Sequence, residues 1–142
     1  MQIPHVVNTE ADKVFVNILN NQTAALSDGD AVVWNVSSPD GVRTTQAAAN
    51  TLSLLVGIAD GSISASGYGL AQAYGYKSAA LVTVDTTVAI VAGDILIAVA
   101  TADRLARSAS GGTQGGYVYA AEAFATDSTP VAATKAVFIR AL

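Results

Sequence analysis

Histidine and cysteine supply most bases and nucleophiles near neutral pH, and here His5 is the only histidine and cysteine is absent. A Ser–His–Asp triad would have to take its base from the first few residues, so chemistry of that type is not expected. His5 has no second histidine and no adjacent carboxylate. It reads as part of an extended segment, not as a metal ligand or pH switch. Carboxylates are more numerous, with eleven Asp and Glu. Most Asp residues stand beside Gly in turn sequences, Glu10 lies near the N-terminus and Glu122 on a predicted strand. That is not a pair flanking a cleft, as glycoside chemistry requires. Asp28 and Asp30, in Ser27-Asp28-Gly29-Asp30, could offer calcium two oxygens, but the further ligands at set spacings are missing. No other acidic or histidine cluster has metal-ligand spacing. The Gly-rich run 108–116, SASGGTQGG, lacks the Lys-Ser/Thr and the preceding strand of a phosphate loop, and reads as a surface loop. The expectation is a protein that is not an enzyme and carries no catalytic residue, cofactor or metal.

The elements that would position any functional side chain are β-strands. Half of the 142 residues are hydrophobic, much of this Ala, with abundant Val, Thr and Ser. Small and β-branched residues favour thin, closely packed sheets over a Leu-rich helical core. A chain of this length buries enough surface for one domain without staples. The first thirty residues lack a basic segment followed by an apolar one, so no signal peptide is read. The absence of cysteine fits synthesis in a reducing cytosol. No apolar run is long enough to span a bilayer, so no membrane partner is expected. With seven Lys and Arg and a net charge of −4, no basic footprint for nucleic acid is present. A surface so weakly charged suggests cover by neighbouring chains.

Along the chain, residues 1–12 (MQIPHVVNTEAD) have no clean period and read as an extended N-terminal arm, ordered against a partner. Residues 13–142 read as a single β-rich domain. KVFVNIL (13–19) is a strand, and 31–36 is another, carrying Trp34, which suits either an interface anchor or a core residue. Ser38-Pro39-Asp40-Gly41 is a hairpin turn. The return, 42–50, reads as a loop or short helical turn, and 51–59 as a strand closed by a turn at Asp60-Gly61. The Gly/Tyr-rich segment 67–76 leads into two or three strands before Ala100. Residues 117–124 and 131–142 are the last strands.

A weak internal repeat runs through this order. Leu26-Ser27-Asp28-Gly29-Asp30-Ala31-Val32 resembles Val91-Ala92-Gly93-Asp94-Ile95-Leu96: an apolar residue, a short approach, Gly-Asp, then a strand. Gly29 and Gly93 would make the tight turn, while Asp30 and Asp94 would tie it to backbone amides. Later Gly residues, in Gly57-Ile58-Ala59 and Gly116-Tyr117-Val118, enter strands. Two similarly built β-subdomains, or two edges of one small barrel, would both give this pattern.

The combination of KVFVNILNN, LSDGDAVVW, Gly67-Tyr68-Gly69-Leu70-Ala71-Gln72-Ala73-Tyr74-Gly75-Tyr76, AGDIL and FIRAL, in that order, resembles the capsid decoration (cement) proteins of tailed bacteriophages over most of 13–142. The resemblance implies an all-β, small β-sandwich or β-barrel-like domain of the β-tulip type. It implies a homotrimer on the outer surface of the phage head, made in the host cytoplasm, that clamps neighbouring major capsid protein subunits. The interface residues then expected are His5, Val6 and Val7 in the arm, Trp34, and the amphipathic rings of Tyr68, Tyr74 and Tyr76, which a barrel core or rim would equally accommodate. Other roles with the same composition are a tail or fibre adaptor, a minor capsid component, or a small glycan-binding module built on Trp34 and the Tyr cluster.

Overall fold

A computed structural model describes residues 12–48, 54–84, 88–108, 117–125 and 131–141. The N-terminal arm, with His5, Val6 and Val7, lies outside the described residues, as do 109–116 of the Gly-rich loop. The described residues contain no helix and nine strands: β1 (Val14–Asn20), β2 (Ala31–Trp34), β3 (Arg43–Thr45), β4 (Leu55–Asp60), β5 (Tyr68–Val84), β6 (Ile95–Ala98), β7 (Leu105–Arg107), β8 (Val118–Ala120) and β9 (Val131–Arg140). The chain is all-β, as its composition implies.

Hydrogen bonds link the strands in the order β1-β3-β2-β4-β5-β7-β6-β8-β9, and two further pairings, β1–β5 and β5–β9, close the sheet on itself twice. The first half of β5 completes a ring with β1, β3, β2 and β4; its second half completes another with β7, β6, β8 and β9. Two small barrels therefore share one strand, and every strand has a neighbour on both sides. Closure of this kind removes the unpaired edges that would otherwise template aggregation.

The barrels are copies of one plan. β1 runs parallel to β3, with Leu19 opposite Arg43; the second half of β5 runs parallel to β7, with Val82 opposite Leu105. Isolated bridges join Leu26 to Ile63 in the first barrel and Ile90 to Phe124 in the second. The weak sequence repeat is thus a structural duplication, with one correction. Gly57, opposite Val32, corresponds to Val118, opposite Leu96, and not to Gly116.

Ile18, Leu26, Val32, Val56, Ala59, Ile63 and Ala71 fill the first barrel. Their counterparts Ala80, Ile90, Leu96, Ala120 and Val137 fill the second. Five strands enclose a narrow lumen, which explains the many Ala. The second core continues onto the outer faces of β2 and β4 through Ala31, Val33, Leu55 and Ile58. Those two strands are buried on both faces, so their apolar residues run on without alternation.

Two local expectations are corrected. Residues 68–84 are not a Gly-rich lead followed by separate strands but one continuous 17-residue strand. Its glycines serve close approach: Gly75, at φ +102°, lies where a Cβ would collide with the carbonyl oxygen of Asp12. The return after Pro39 is the short strand β3, not a helical turn, because Asp40 Oδ1 accepts from the amides of Val42 (3.1 Å) and Arg43 (2.8 Å) and delivers the chain straight into pairing with β2.

Candidate functional site

The Gly-Asp turns are nearly superposable in their bonding. Gly29 and Gly93 both have φ +94°. Asp30 Oδ2 accepts from Ser27 N–H at 2.7 Å, and Asp94 Oδ2 from Val91 N–H at 3.0 Å. The carbonyls of Asp30 and Asp94 accept from the amides of Ala59 (2.8 Å) and Ala120 (2.9 Å). Each Asp therefore does what the spacing predicts. Their surroundings differ. Asp94 also meets Arg107 Nε at 2.8 Å. Asp30 has no paired cation among the described residues; burial, with the charges of Asp103 and Asp28, pushes its carboxyl above the usual carboxylate range despite the Ser27 amide.

The two barrels meet along a polar seam that the sequence did not single out. Lys77, in the middle of β5 and buried, donates to Asp28 (2.9 Å) before β2 and to Asp60 (3.1 Å) at the end of β4. Burial opposes ionisation of Asp28, but Lys77 and the amides of Gly61 and Gly29 outweigh it and hold that carboxyl below its ordinary value. Across the seam, Asp103 in the β6–β7 hairpin accepts from Gln22 Nε2 (2.8 Å) and Gln46 Nε2 (3.1 Å). Asp103 O accepts from Ala31 N–H (3.0 Å), and Thr101 N–H donates to Ala47 O (2.8 Å). Asp28 and Asp60 stand in turns that local spacing marks, but their meeting with Lys77, and that of Asp103 with Gln22 and Gln46, joins distant turns for which no spacing signal existed. The two carboxylates weighed as calcium ligands are directed at Lys77 and the Ser27 amide. Among the described residues no group of three or more His, Cys, Asp or Glu is placed to hold a metal ion.

The expected interface aromatics fall in three places. Trp34 follows the parity of Val32 and packs against the first core at the mouth of that barrel. It is opposite Thr44, itself opposite Asn20, and both of those are buried. Open depressions of about 230 and 350 Å³ flank it, one reaching Pro39 and Arg43, the other Thr45 and Gln46. Tyr68, 72% exposed, lies on the outer face opposite Leu19. Trp34 and Tyr68 therefore face opposite sides of the wall and cannot form one concave aromatic site. Tyr74 and Tyr76 do come together, with Phe138: Tyr76 is opposite Phe138 in the β5–β9 ladder, and Tyr74 meets the Phe138 ring edge-on at 5.6 Å.

Phe138 extends this cluster into a row that sequence reading missed. Cross-strand pairs run Ile95–Tyr119, Tyr119–Phe138 and Phe138–Tyr76, across β6, β8, β9 and β5. All four face outward; Tyr76 and Phe138 are 47% and 37% exposed, and Ile95 and Tyr119 are partly buried. Only the register, set over long sequence separations, aligns them. The arrangement contains no nucleophile–base pair; its chemistry is that of an amphipathic contact surface.

No protein-family model matches the chain, and no curated protein matches it.

Proposed function

We propose that this chain is a virion structural protein, a capsid decoration (cement) protein that binds the outside of a phage head and ties neighbouring major capsid protein subunits together. The observation that carries the reading is the order of five resembling stretches and where they fall. KVFVNILNN covers β1, LSDGDAVVW the first Gly-Asp turn and β2, and GYGLAQAYGY the first half of β5. AGDIL covers the second Gly-Asp turn and the start of β6, and FIRAL the end of β9. These are the framework positions of both barrels. The outward aromatic row supports the reading, since a cement protein needs contact area across capsomer joints. Each contact can be modest because the lattice repeats it.

In this reading the partners are the major capsid protein and further copies of the chain, in a homotrimer. The place of action is the outer capsid surface, after synthesis in the host cytoplasm. The protein acts without catalysis, by adding bonds that must break before the shell opens. The test is cosedimentation of the pure protein with expanded heads of the cognate phage, followed by a map of the particle. Saturable binding at a fixed ratio to the major capsid protein is expected. No affinity for heads would overturn the reading, and a handful of copies confined to the tail would replace it with the adaptor role.

A further inference from the structure

The seam between the barrels has a second, unused set of halves. In the first barrel, the outward row Ala31–Ile58–Gln72 is paired across β2, β4 and β5. It is buried, because the second barrel lies over it and presents its β6–β7 hairpin to Ala31, Gln46 and Ala47. The same positions in the second barrel are Ile95, Tyr119 and Phe138, in the same pairing, and among the described residues no second barrel lies over them. Beside that row, Arg107 stands where Gln46 stands and Ser108 where Ala47 stands. Ser108 Oγ is buried with no hydrogen-bond partner among the described residues.

The matching donor is also left uncovered by the described residues. The β2–β3 hairpin, 35–43, corresponds to the β6–β7 hairpin, 99–104. Asn35 N–H donates to Arg43 O and Val99 N–H to Arg104 O, both at 2.9 Å. The seam hairpin carries Ala100, Ala102 and the acid Asp103; the free one carries Val36, 55% exposed, then Pro39 and the acid Asp40. The amides of Arg43 and Val42 hold the Asp40 carboxyl below its ordinary range, and Arg43 Nε also reaches it at 3.2 Å. The acceptor side again carries a side-chain N–H donor, Arg107 for Gln46, whose Nε bonds Asp94.

We propose that copies of this chain associate head to tail, the 35–43 hairpin of one copy seated on the Ile95–Tyr119–Phe138 row of the next. The contact repeats between chains the docking that joins the two barrels within one. It buries the aromatic row and brings a polar backbone to Ser108. Such an interface joins two different surfaces, so it closes into a ring where the rotation allows and extends as a filament where it does not. The inference rests on the duplicated seam, not on the virion reading, and its test contains no capsid.

Three full-length variants decide it by sedimentation. Val36→Arg with Asp40→Arg disables the hairpin; Tyr119→Arg disables the row, with Phe138→Arg as a second row variant should the first lose its circular dichroism spectrum. The wild type is expected to associate with rising concentration, and each folded variant to stay monomeric. The hairpin variant mixed with a row variant still offers one intact hairpin and one intact row, so the mixture should form a dimer that grows no further. A wild type that stays monomeric at millimolar concentration overturns the proposal. So does a folded variant that keeps the wild-type assembly, or a mixture that stays monomeric.

Discussion

At the scale of single residues, the two Gly-Asp turns are an internal control on what glycine contributes. Both glycines adopt φ +94°, which costs an L-residue roughly 1–2 kcal/mol. A Cβ on Gly93 would meet nothing within 4 Å, whereas one on Gly29 would stand 2.9 Å from the carbonyl oxygen of Ala79, because that turn docks on β5. Gly93→Ala should therefore cost only the conformational strain. Gly29→Ala should cost about 2 kcal/mol more, from forced displacement of packed backbone. Urea midpoints of the two variants, measured side by side, check this; equal losses would mean the first turn is not clamped. Asp28 gives a pH dependence whose sign is determinate. Its folded carboxyl titrates below the ordinary carboxyl value of 3.8, so its contribution is fully present above that value and fades as pH falls through the lower folded one. Asp28→Asn should lower stability at neutral pH and converge on the wild type in acid, once the pH falls below the folded carboxyl's lowered value. Asp30, shifted upward, acts in the opposite sense, its ionisation opposing folding as pH rises through 3.8. An Asp28→Asn deficit that persists undiminished into acid would show that its contacts do not depend on charge.

Among elements, β5 matters most, because each half closes a different barrel and Lys77 ties its middle to two turns of the first. The Lys77 side chain is 8% exposed, while Asp28 and Asp60 are 53% and 44% exposed. That asymmetry predicts unequal outcomes when the cluster is cut. Lys77→Met leaves two hydrated carboxylates and should cost about 1 kcal/mol. Asp28→Ala with Asp60→Ala leaves an unpaired ammonium in the seam and should cost about 3–5 kcal/mol. Denaturant titrations of the two variants decide the order, and a larger loss for Lys77→Met would reverse the assignment of which charge is buried. The strands β2 and β4 show the same dependence on placement: their outer faces became core only because the second barrel lies on them.

For the molecule as a whole, a shared strand couples the barrels. Neither ring closes without its half of β5, and the second core includes residues of the first barrel, so the two should melt together. Trp34, the only tryptophan, reports on the first barrel by fluorescence, while far-ultraviolet circular dichroism reports on all strands. Coincident transitions are expected. A fluorescence change that precedes the loss of strand signal would mean the first barrel opens alone. The same architecture sets the outward character of the described residues, whose closed barrels offer side-chain surfaces and hairpin tips in place of free strand edges.

What the amino-acid sequence determined by itself is local. The all-β class follows from β-branched and small residues; the turns at 27–30, 38–41 and 91–94 follow from Gly, Pro and Asp chemistry within a few residues of one another. The repeat was legible because both of its turns must solve the same backbone problem. Tertiary structure alone decided that the Gly/Tyr-rich segment is half of a shared strand, that Trp34 and Tyr68 face opposite sides of the wall, and that Phe138 and Tyr119 extend the aromatic row. It also decided that Lys77, Asp28, Asp60, Asp103 and Gln46 form a seam. The reason is physical: a strand's two faces are symmetric in the chain, and which becomes core, seam or open surface depends on register and closure between residues far apart in sequence, such as Tyr74 and Arg140 or Gln46 and Asp103.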